Sequence, residues 1–497
     1  MNFKSRIYWF VIFSLICNLN FTLVEAQKHD NIWIFGYTNV NMPQAAGLDF
    51  YFGPPNAVGF NTPFSFFYRS DVCMSSPVGD LLFYSNGIEI ANWNNQILAN
   101  SVDFNFDPVG NNYTFHQGIL SIPFPDHPNQ FVLFHFNGNY ILPSYYPIKL
   151  YYSVIDMNAN NGLGEMVLKK QTVFADTLLS STMQATRHAN GRDWWIINHK
   201  AYSNMFYVSL LTPSGVIQNN TYAAGPYLTY FLTSRGQSEF SPDGSKYAMA
   251  FDTYNSIYLF DFDRCSGTIS YKDSVQIIPN DINELPVRGC EFSPNSRYLY
   301  ANTNNDLYQF DTWSTSLASG IKLIAQHNTP SHDFFRNKLG PDGKIYIASD
   351  NYQNTLSVIN SPDEGDTLCD FVQDQLLLSA VGCHTLPEFP NYRLGPVVGS
   401  VCDSLTGLST ILNDADYAIS VFPNPSSGDF EISYLLDSDK NGEVLITDVL
   451  GKIVYKGLLS PFTTKKSFHI PELKSGIYQI SINSGNHNNA TRITISK

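Results

Sequence analysis

The chain has 497 residues and a formal net charge of −14 at pH 7. Its length exceeds that of one ordinary domain and predicts two or three. Charged residues make up 14% of the sequence and aromatic residues another 14%, with Gly, Pro and Asn frequent between the aromatic runs. That mixture is typical of many short β-strands joined by turns. The acidic balance argues against a nucleic-acid partner, because binding to phosphates requires a basic surface.

Residues 1–26 have the pattern of a signal peptide. Lys4 and Arg6 precede a mostly apolar run over 7–17, and Ala26 ends a small-residue cleavage site. The apolar run is too short to be a membrane span, and no later segment is long and apolar enough to cross a bilayer. The pattern predicts an exported protein with no transmembrane segment after signal cleavage.

Six cysteines follow the signal peptide, an even number that permits disulfides in an exported protein. Cys369 with Cys383 and Cys265 with Cys290 are the local pairs that we predict, while other pairings stay open. No cysteine or histidine spacing suggests a zinc site.

The middle of the chain repeats a pattern of strand, tight turn and strand. Its three clearest copies are Glu239-Phe240-Ser241-Pro242-Asp243-Gly244-Ser245-Lys246-Tyr247, Glu291-Phe292-Ser293-Pro294-Asn295-Ser296-Arg297-Tyr298-Leu299 and Lys338-Leu339-Gly340-Pro341-Asp342-Gly343-Lys344-Ile345-Tyr346. Pro presets the first turn angle, and Gly or Asn tolerates the positive one. Weaker copies lie upstream. The corresponding turn positions are about 50 residues apart, the length of a four-stranded propeller blade: Gly79, Asn129, Gly191, Gly244, Ser296 and Gly343.

Six turns indicate six blades, and leftover segments suggest a seventh. Strands are predicted over 31–37 and 47–52, before the first turn, and an inner strand over 382–387, after the last blade. Both chain ends would then share one blade, which closes the ring. We therefore predict an all-β, seven-bladed β-propeller over 27–393, with six blades as the alternative and tandem β-sandwiches as the rival fold. Residues 394–417 are rich in Gly, Ser, Thr and Asp and are interpreted as a linker.

The block from Trp33 to about Asn391 resembles a WD-like propeller common in secreted proteins of the Bacteroidetes. The resemblance rests on Gly47-Leu48-Asp49-Phe50, on Leu82-Phe83-Tyr84-Ser85-Asn86-Gly87, on the stretch from Ala185 to Trp195 and on the Pro-Asp-Gly turns. It implies the propeller fold and no particular activity.

Residues 418–497 form a second unit, for which short alternating strands predict a small β-sandwich. It resembles the type A C-terminal sorting domain of the type IX secretion system. The positions that carry this resemblance are Pro423, Asn424, Pro425, Gly428, Gly451, Gly476 and Lys497. The resemblance implies that 418–497 engages the type IX secretion machinery, and that the protein passes through the periplasm and outer membrane to the cell surface or medium. The alternative is an ordinary terminal sandwich.

Glu239 and Glu291 occupy equivalent positions on successive predicted inner strands. Arg235 and Arg288 precede them by three or four residues. Because inner strands line the centre of a propeller, these residues could form a ring of charge that binds a polar ligand or a cation such as calcium. The alternative is a set of structural ion pairs between blades.

His188, Trp194 and Trp195 form a second candidate group. One indole could stack on a sugar ring, since Trp offers a large flat apolar face. The alternative is that both indoles pack between blades and that His188 belongs to a turn. His116 and His384, near other predicted inner strands, are interpreted as hydrogen-bonded core or turn residues.

No nucleophile elbow, HExxH or P-loop motif is present. We therefore predict a surface module that binds or adheres to a glycan or a protein. The alternative is a metal-dependent hydrolase or lyase with its site in the central channel. The sequence leaves open whether the protein is an enzyme and identifies no cofactor beyond the possibility of calcium.

Overall fold

A computed structural model gives the fold. It describes residues 27–36, 44–51, 54–64, 67, 69–105, 115–141, 144–228, 235–278, 286–327, 333–382, 384–403, 419–434, 436, 441–461, 463, 465–484 and 487–497. The predicted signal peptide over 1–26 and most of the predicted linker lie outside these residues.

Seven antiparallel sheets follow one another between residues 32 and 377 in the described part of the chain. Two have three strands: β1 (Ile32–Phe35), β2 (Gln44–Asp49) and β3 (Asn56–Asn61), then β4 (Val72–Ser75), β5 (Leu81–Ser85) and β6 (Ile90–Asn92). Five have four strands, in chain order: β7 (Ile119–Pro123), β8 (Gln130–Ile141), β9 (Ser144–Asp156), β10 (Glu165–Ala175); β11 (Gln184–Arg187), β12 (Trp194–His199), β13 (Met205–Thr212), β14 (Gly215–Ala223); β15 (Gln237–Phe240), β16 (Lys246–Phe251), β17 (Ser256–Phe262), β18 (Ile269–Gln276); β19 (Gly289–Phe292), β20 (Tyr298–Asn302), β21 (Asp306–Asp311), β22 (Ile321–Gln326); β23 (Asn337–Leu339), β24 (Ile345–Ile347), β25 (Thr355–Ile359), β26 (Phe371–Leu377). Loops add a short helix, α1 (Ala159–Gly162), and 3-10 turns at Asp252–Tyr254, Ala318–Gly320 and Asp366–Cys369.

The sheets are arranged as a β-propeller, with the first strand of each sheet innermost. First strands of consecutive sheets contact one another, as β15 does with β19 and β19 with β23. The inner strand β19 is buried along its whole length, whereas the outer strands β18 and β22 are largely exposed. The all-β propeller fold is therefore confirmed. The blade count stays a prediction, because the first two sheets have only three strands each.

The repeated turn is confirmed at every predicted position. The corner residue of each turn has a positive φ, the conformation that the Pro-Asp-Gly pattern predicts: Gly79, Asn129, Gly191, Gly244, Ser296 and Gly343. These turns join the first and second strands and define the lower face of the ring. The upper face is the opposite side, where each first strand begins.

The predicted inner strand over 382–387 is wrong. Residues 384–394, called here the central segment, are irregular, and Pro387 and Pro390 have no N–H group to offer a strand ladder. The chain ends therefore do not share a blade among the described residues. They meet instead through Arg393, whose guanidinium donates two 2.6 Å hydrogen bonds to the Asp30 carboxylate.

The C-terminal module is a sandwich of two sheets. The first contains β27 (Ser420–Phe422), β28 (Asp429–Ser433) and β31 (Lys465–His469). The second contains β29 (Gly442–Asp448), β30 (Ile453–Leu459), β32 (Gly476–Ser484) and β33 (His487–Ile495). Apolar side chains between the sheets, including Ile432, Val444, Ile480 and Ile493, form its core.

The Pro-Asn-Pro opening of this module is bonded to its last strand. The Asn424 side chain donates to the Arg492 carbonyl and accepts from the Thr494 N–H, both at 2.9 Å. Gly428 and Gly451 have φ values of 120° and 80°. Gly476 begins β32, and the Lys497 N–H donates to Ser475 Oγ. The sequence-predicted sorting residues thus shape the ends and turns of the sandwich.

One disulfide is present among the described residues, and it joins Cys265 to Cys402 across 137 residues. The predicted Cys265–Cys290 bridge is therefore wrong, since Cys290 is a buried free thiol. Cys369 is also a buried free thiol, so the predicted bridge to Cys383 is not formed, and Cys383 itself lies outside the described residues. The Cys265–Cys402 bridge fastens the start of the predicted linker to the ring.

Other contacts hold the same stretch. The Val397 N–H donates to the Ala189 carbonyl, and Arg264 donates to the Gly395 carbonyl. The first residues of the predicted linker, 394–403, therefore pack against the lower face. The linker boundary at residue 394 stays a prediction.

We expect peptide mapping without reduction to recover Cys265 and Cys402 in one linked peptide pair. Reduction should lower the free energy of unfolding of the propeller by about 2–4 kcal/mol, because it releases a long closed loop in the unfolded chain. Replacing both cysteines by serine in one variant should reproduce this loss of unfolding free energy. Recovery of Cys265 linked to Cys290 would contradict this assignment.

Candidate functional site at the centre of the ring

The centre of the propeller is filled by the central segment. His384 lies at its upper end, with Nδ1 2.9 Å from Asp350 Oδ1. Glu388 lies midway, and its N–H donates to the Asp71 carbonyl. At the lower end, Asn391 donates to the Pro242 carbonyl of a turn. The segment thus passes through the ring from the upper to the lower face.

Below the middle of the ring, Lys338 is bonded to the two glutamates that the sequence singled out. Lys338 Nζ lies 3.0 Å from Glu239 Oε2 and 3.6 Å from Glu291 Oε2. All three side chains are buried. Each comes from the inner strand of a different sheet, so the contact joins three successive repeats. In the predicted ring of charge, the cation that the two carboxylates contact is therefore the ammonium of Lys338.

Amides complete this network. Gln184 and Gln237 each donate to the Glu239 carboxylate at 2.9 Å. From the central segment, Glu388 Oε2 accepts from Gln117 at 3.0 Å. The buried carboxylate oxygens of Glu239 are therefore hydrogen-bonded, as buried charges require.

Burial and mutual repulsion act on the pKa values of this cluster. Burial lowers the pKa of Lys338, but attraction to Glu239, Glu291 and Glu388 outweighs it and raises that pKa. Burial raises the pKa of Glu239 well above its ordinary value, against the attraction of Lys338, and burial also raises that of Glu291. Lys338 therefore stays charged, while burial together with the negative charge of Glu291 favours the neutral form of Glu239.

Beneath the ion pairs, a cavity of ≈ 50 Å³ reaches toward the lower face between Asp30 and Pro242. A site for an organic ligand is about 300–1,000 Å³. This cavity has room for water and not for a sugar ring.

Four arginines lie near the start of the inner strands at the upper face. We call them the arginine cluster: Arg69, Arg235, Arg288 and Arg336. Arg235 is exposed, whereas Arg288 and Arg336 are buried. Arg288 Nη1 lies 2.7 Å from Asp350 Oδ2, and the Arg235 N–H donates to Asp252. Arg235 and Arg288 therefore contact aspartates that follow the second strands, and they do not contact the channel glutamates.

Phe335 holds part of this cluster together. Arg288 and Arg336 place their guanidinium carbons 5.3 and 5.0 Å from the centre of its ring. The His116 ring lies 5.8 Å away in an edge-on arrangement. Burial lowers the pKa of His116 well below its ordinary value, and the charges of the four arginines lower it further. His116 is therefore a neutral imidazole among cations.

The second candidate group, His188, Trp194 and Trp195, is packed within the fold. Trp194 and Trp195 are both buried, and Trp195 Nε1 donates to the Arg264 carbonyl. The Arg187 guanidinium lies 4.2 Å from the centre of the Trp194 ring. His188 Nε2 is 3.1 Å from the Cys265 carbonyl. Neither indole presents an open face to a sugar ring, and these side chains lie toward the lower face.

No group of three or more His, Cys, Asp or Glu side chains positioned to hold a metal is found in the described part of the chain. Glu239 and Glu291 are the predicted metal candidates, and the oxygens that would face a cation instead contact Lys338. A calcium ion at this position would have to displace the ammonium.

Sequence reasoning missed Lys338, Glu388 and Arg336. The signal for Lys338 was present, since it lies three residues before Pro341, as Glu239 and Glu291 lie three before their own turn prolines. Arg336 could have been found from its place near the start of an inner strand. No local pattern marks Glu388, because only the path of the central segment brings it to the middle of the ring.

The fold and this centre define a β-propeller with a closed polar core that is joined to a terminal β-sandwich. Residues 420–496 match the family described as Secretion system C-terminal sorting domain. The predicted sorting domain is thereby confirmed, and the protein is exported by the type IX secretion system to the cell surface or the extracellular space. Among the residues that the structure describes, no helix is long and apolar enough to cross a membrane.

Several solved structures are similar to a part of this chain. A periplasmic gluconolactonase from Pseudomonas aeruginosa is 14% identical, with a TM-score of 0.43, over 72% of this chain and 97% of that one. A protein from Lactobacillus plantarum is 17% identical, with a TM-score of 0.41, over 72% and 99%. A β-propeller domain from Myceliophteria thermophila is 12% identical, with a TM-score of 0.38, over 66% and 93%. No curated protein sequence matches the chain.

We expect Lys338→Met to destabilise the propeller by about 3–5 kcal/mol, because it leaves two buried carboxylates without their cation. Urea unfolding followed by fluorescence measures the loss. Adding Glu239→Gln and Glu291→Gln to the same chain should recover part of it, since the amides carry no charge. A loss below about 1 kcal/mol would mean that the ion pairs do not support the ring.

Asp71 supports a prediction about pH. Both of its carboxylate oxygens are buried without a hydrogen-bond partner among the described residues. Burial raises its pKa well above the ordinary value of 3.8, and the charge of Glu388 adds to the rise. The protonated form of Asp71 contributes its full stabilisation of the folded protein below pH 3.8. This stabilisation is lost as the pH rises through the pKa that Asp71 has in the folded protein.

We therefore expect Asp71→Asn to become more favourable relative to the unsubstituted chain as the pH rises from 4 to 8. The measurement is the free energy of unfolding in urea at several pH values. Asp261→Asn is the control, because Asp261 is an exposed residue on β17. A difference between Asp71→Asn and the unsubstituted chain that does not vary with pH would contradict the prediction.

Proposed function

We propose that the propeller is a binding module for a glycan or a protein outside the cell, and that its ligand contacts the centre of the upper face. The observation that carries the proposal is the arginine cluster around His116. Two of its side chains, those of Arg288 and Arg336, converge with the His116 ring on one phenylalanine ring. Arginine at such a site supplies several fixed hydrogen-bond donors.

The closed core supports binding over catalysis in the channel. The central segment and the Lys338 ion pairs occupy the position where a metal-dependent hydrolase or lyase would hold its cation. Arg235 and Arg288, which the sequence predicted as ligand residues, lie at the upper end instead. The sorting domain places this surface outside the cell, where a glycan or a protein of the surroundings can reach it.

We expect the full secreted chain to retain at least one ligand on an array of glycans and purified surface proteins. Retention should survive EDTA, and the bound ligand should be recovered unchanged. Arg235→Ala should weaken retention, because Arg235 is the exposed member of the cluster. Lys322→Ala on the outer strand β22 is the matched control and should have no effect. Release of a cleavage product, with no ligand retained, would overturn the proposal in favour of an enzyme.

A further inference from the structure

We propose that the arginine cluster binds the carboxylate of an acidic sugar at the end of a glycan chain. This inference rests on the proposed binding function and names the chemistry of its ligand. It follows from the donors that converge on the upper centre, from their missing partners and from their depth below the surface.

The donors converge around Phe335. Arg288 and Arg336 lie against its ring at 5.3 and 5.0 Å, and the His116 ring lies 5.8 Å away. Arg336 Nη1 donates to the Gly236 carbonyl at 2.5 Å, which anchors one side of its guanidinium. The guanidinium groups of Arg288 and Arg336 and the imidazole of His116 are therefore held in fixed positions by buried contacts, as a binding site with defined geometry requires.

Part of the hydrogen-bonding capacity of this group is unused. Arg336 Nη2 and both ring nitrogens of His116 are buried without a partner among the described residues. The two side chains belong to residues that are 2% and 3% exposed. A buried donor without an acceptor costs roughly 1–3 kcal/mol, more when it is charged. An anion at this point would accept hydrogen bonds from Arg336 Nη2 and from the single N–H of the neutral His116 ring.

Acidic residues also face the upper centre. Asp350 is bonded to Arg288 and His384, Asp252 accepts from the backbone N–H of Arg235, and the carboxylate of Glu388 attracts the Arg336 guanidinium. The chain as a whole carries a net charge of −14. A cluster of arginines in such a protein is a local positive site, and it attracts anions over the acidic background.

The depth of these side chains favours a sugar carboxylate over an acidic patch on a folded protein. Arg288 and Arg336 are almost fully buried, whereas Arg235 is exposed. A ligand must therefore bring one compact anionic group inward from the rim, as a single terminal residue of a glycan can. The planar guanidinium matches a carboxylate with two parallel hydrogen bonds.

The experiment is calorimetric titration of the full secreted chain with D-glucuronate, N-acetylneuraminate, D-glucose and inorganic phosphate. At least one of the two acidic sugars should bind, and glucose should bind roughly tenfold more weakly or not at all. Arg235→Glu should weaken binding of the acidic sugar by roughly tenfold or more, since it replaces a cation by an anion at the rim. Arg336→Met tests the buried donor directly.

Lys322→Glu is the matched control for Arg235→Glu, because it makes the same charge change on the exposed strand β22. It should leave binding unchanged. If Arg336→Met fails to fold, the comparison between Arg235→Glu and Lys322→Glu still decides the question. Circular dichroism establishes that each variant is folded.

Failure of both acidic sugars to bind, or equal effects of the two charge reversals, would overturn this inference. If phosphate, or an acidic peptide added as a competitor, binds more tightly than the acidic sugars, the assignment of an acidic sugar as the ligand is overturned. Binding of neutral glycans or of proteins that ignores the arginine substitutions would overturn this inference and leave the proposed function standing. Turnover of a ligand with none retained would overturn both.

Discussion

The ammonium of Lys338, held between the buried carboxylates of Glu239 and Glu291, is the contact on which the centre of this protein depends. Moving charges out of water is costly unless they are paired and hydrogen-bonded. Because the three side chains come from three successive inner strands, the ion pairs can form only when the repeats are aligned. The centre is therefore closed and polar, and it is not an open channel.

The closure of the centre decides where function can reside. The central segment crosses the ring and is fastened at the lower face by Arg393, and the Cys265–Cys402 bridge fastens the stretch that follows it. The space left below is small. On the upper face, the arginines near the start of the inner strands bring positive charge together. The sorting domain carries the propeller to the cell surface or the extracellular space, so the unit that directs export is separate from the propeller.

Much of the fold could be predicted because its turns are encoded locally. Pro, Asp and Gly at fixed positions specify a corner with positive φ whatever surrounds it. The same register correctly placed Glu239 and Glu291 on neighbouring inner strands. Lys338 occupies the equivalent position and was overlooked because its charge has the opposite sign. The prediction of a strand over 382–387 was wrong because the path of these residues depends on contacts with residues that are distant in the sequence.

The sequence by itself determined the repeat, the turn corners, the terminal sandwich and the sorting domain, because each depends on residues that are near one another in the chain. Only the tertiary structure decided which cysteine pairs with Cys265, that Trp194 and Trp195 are buried, and that the central segment fills the ring. It also brought Arg69 and Arg336 to one place. Arranging the sheets around a common centre makes neighbours of residues hundreds of positions apart, and no local pattern records that proximity.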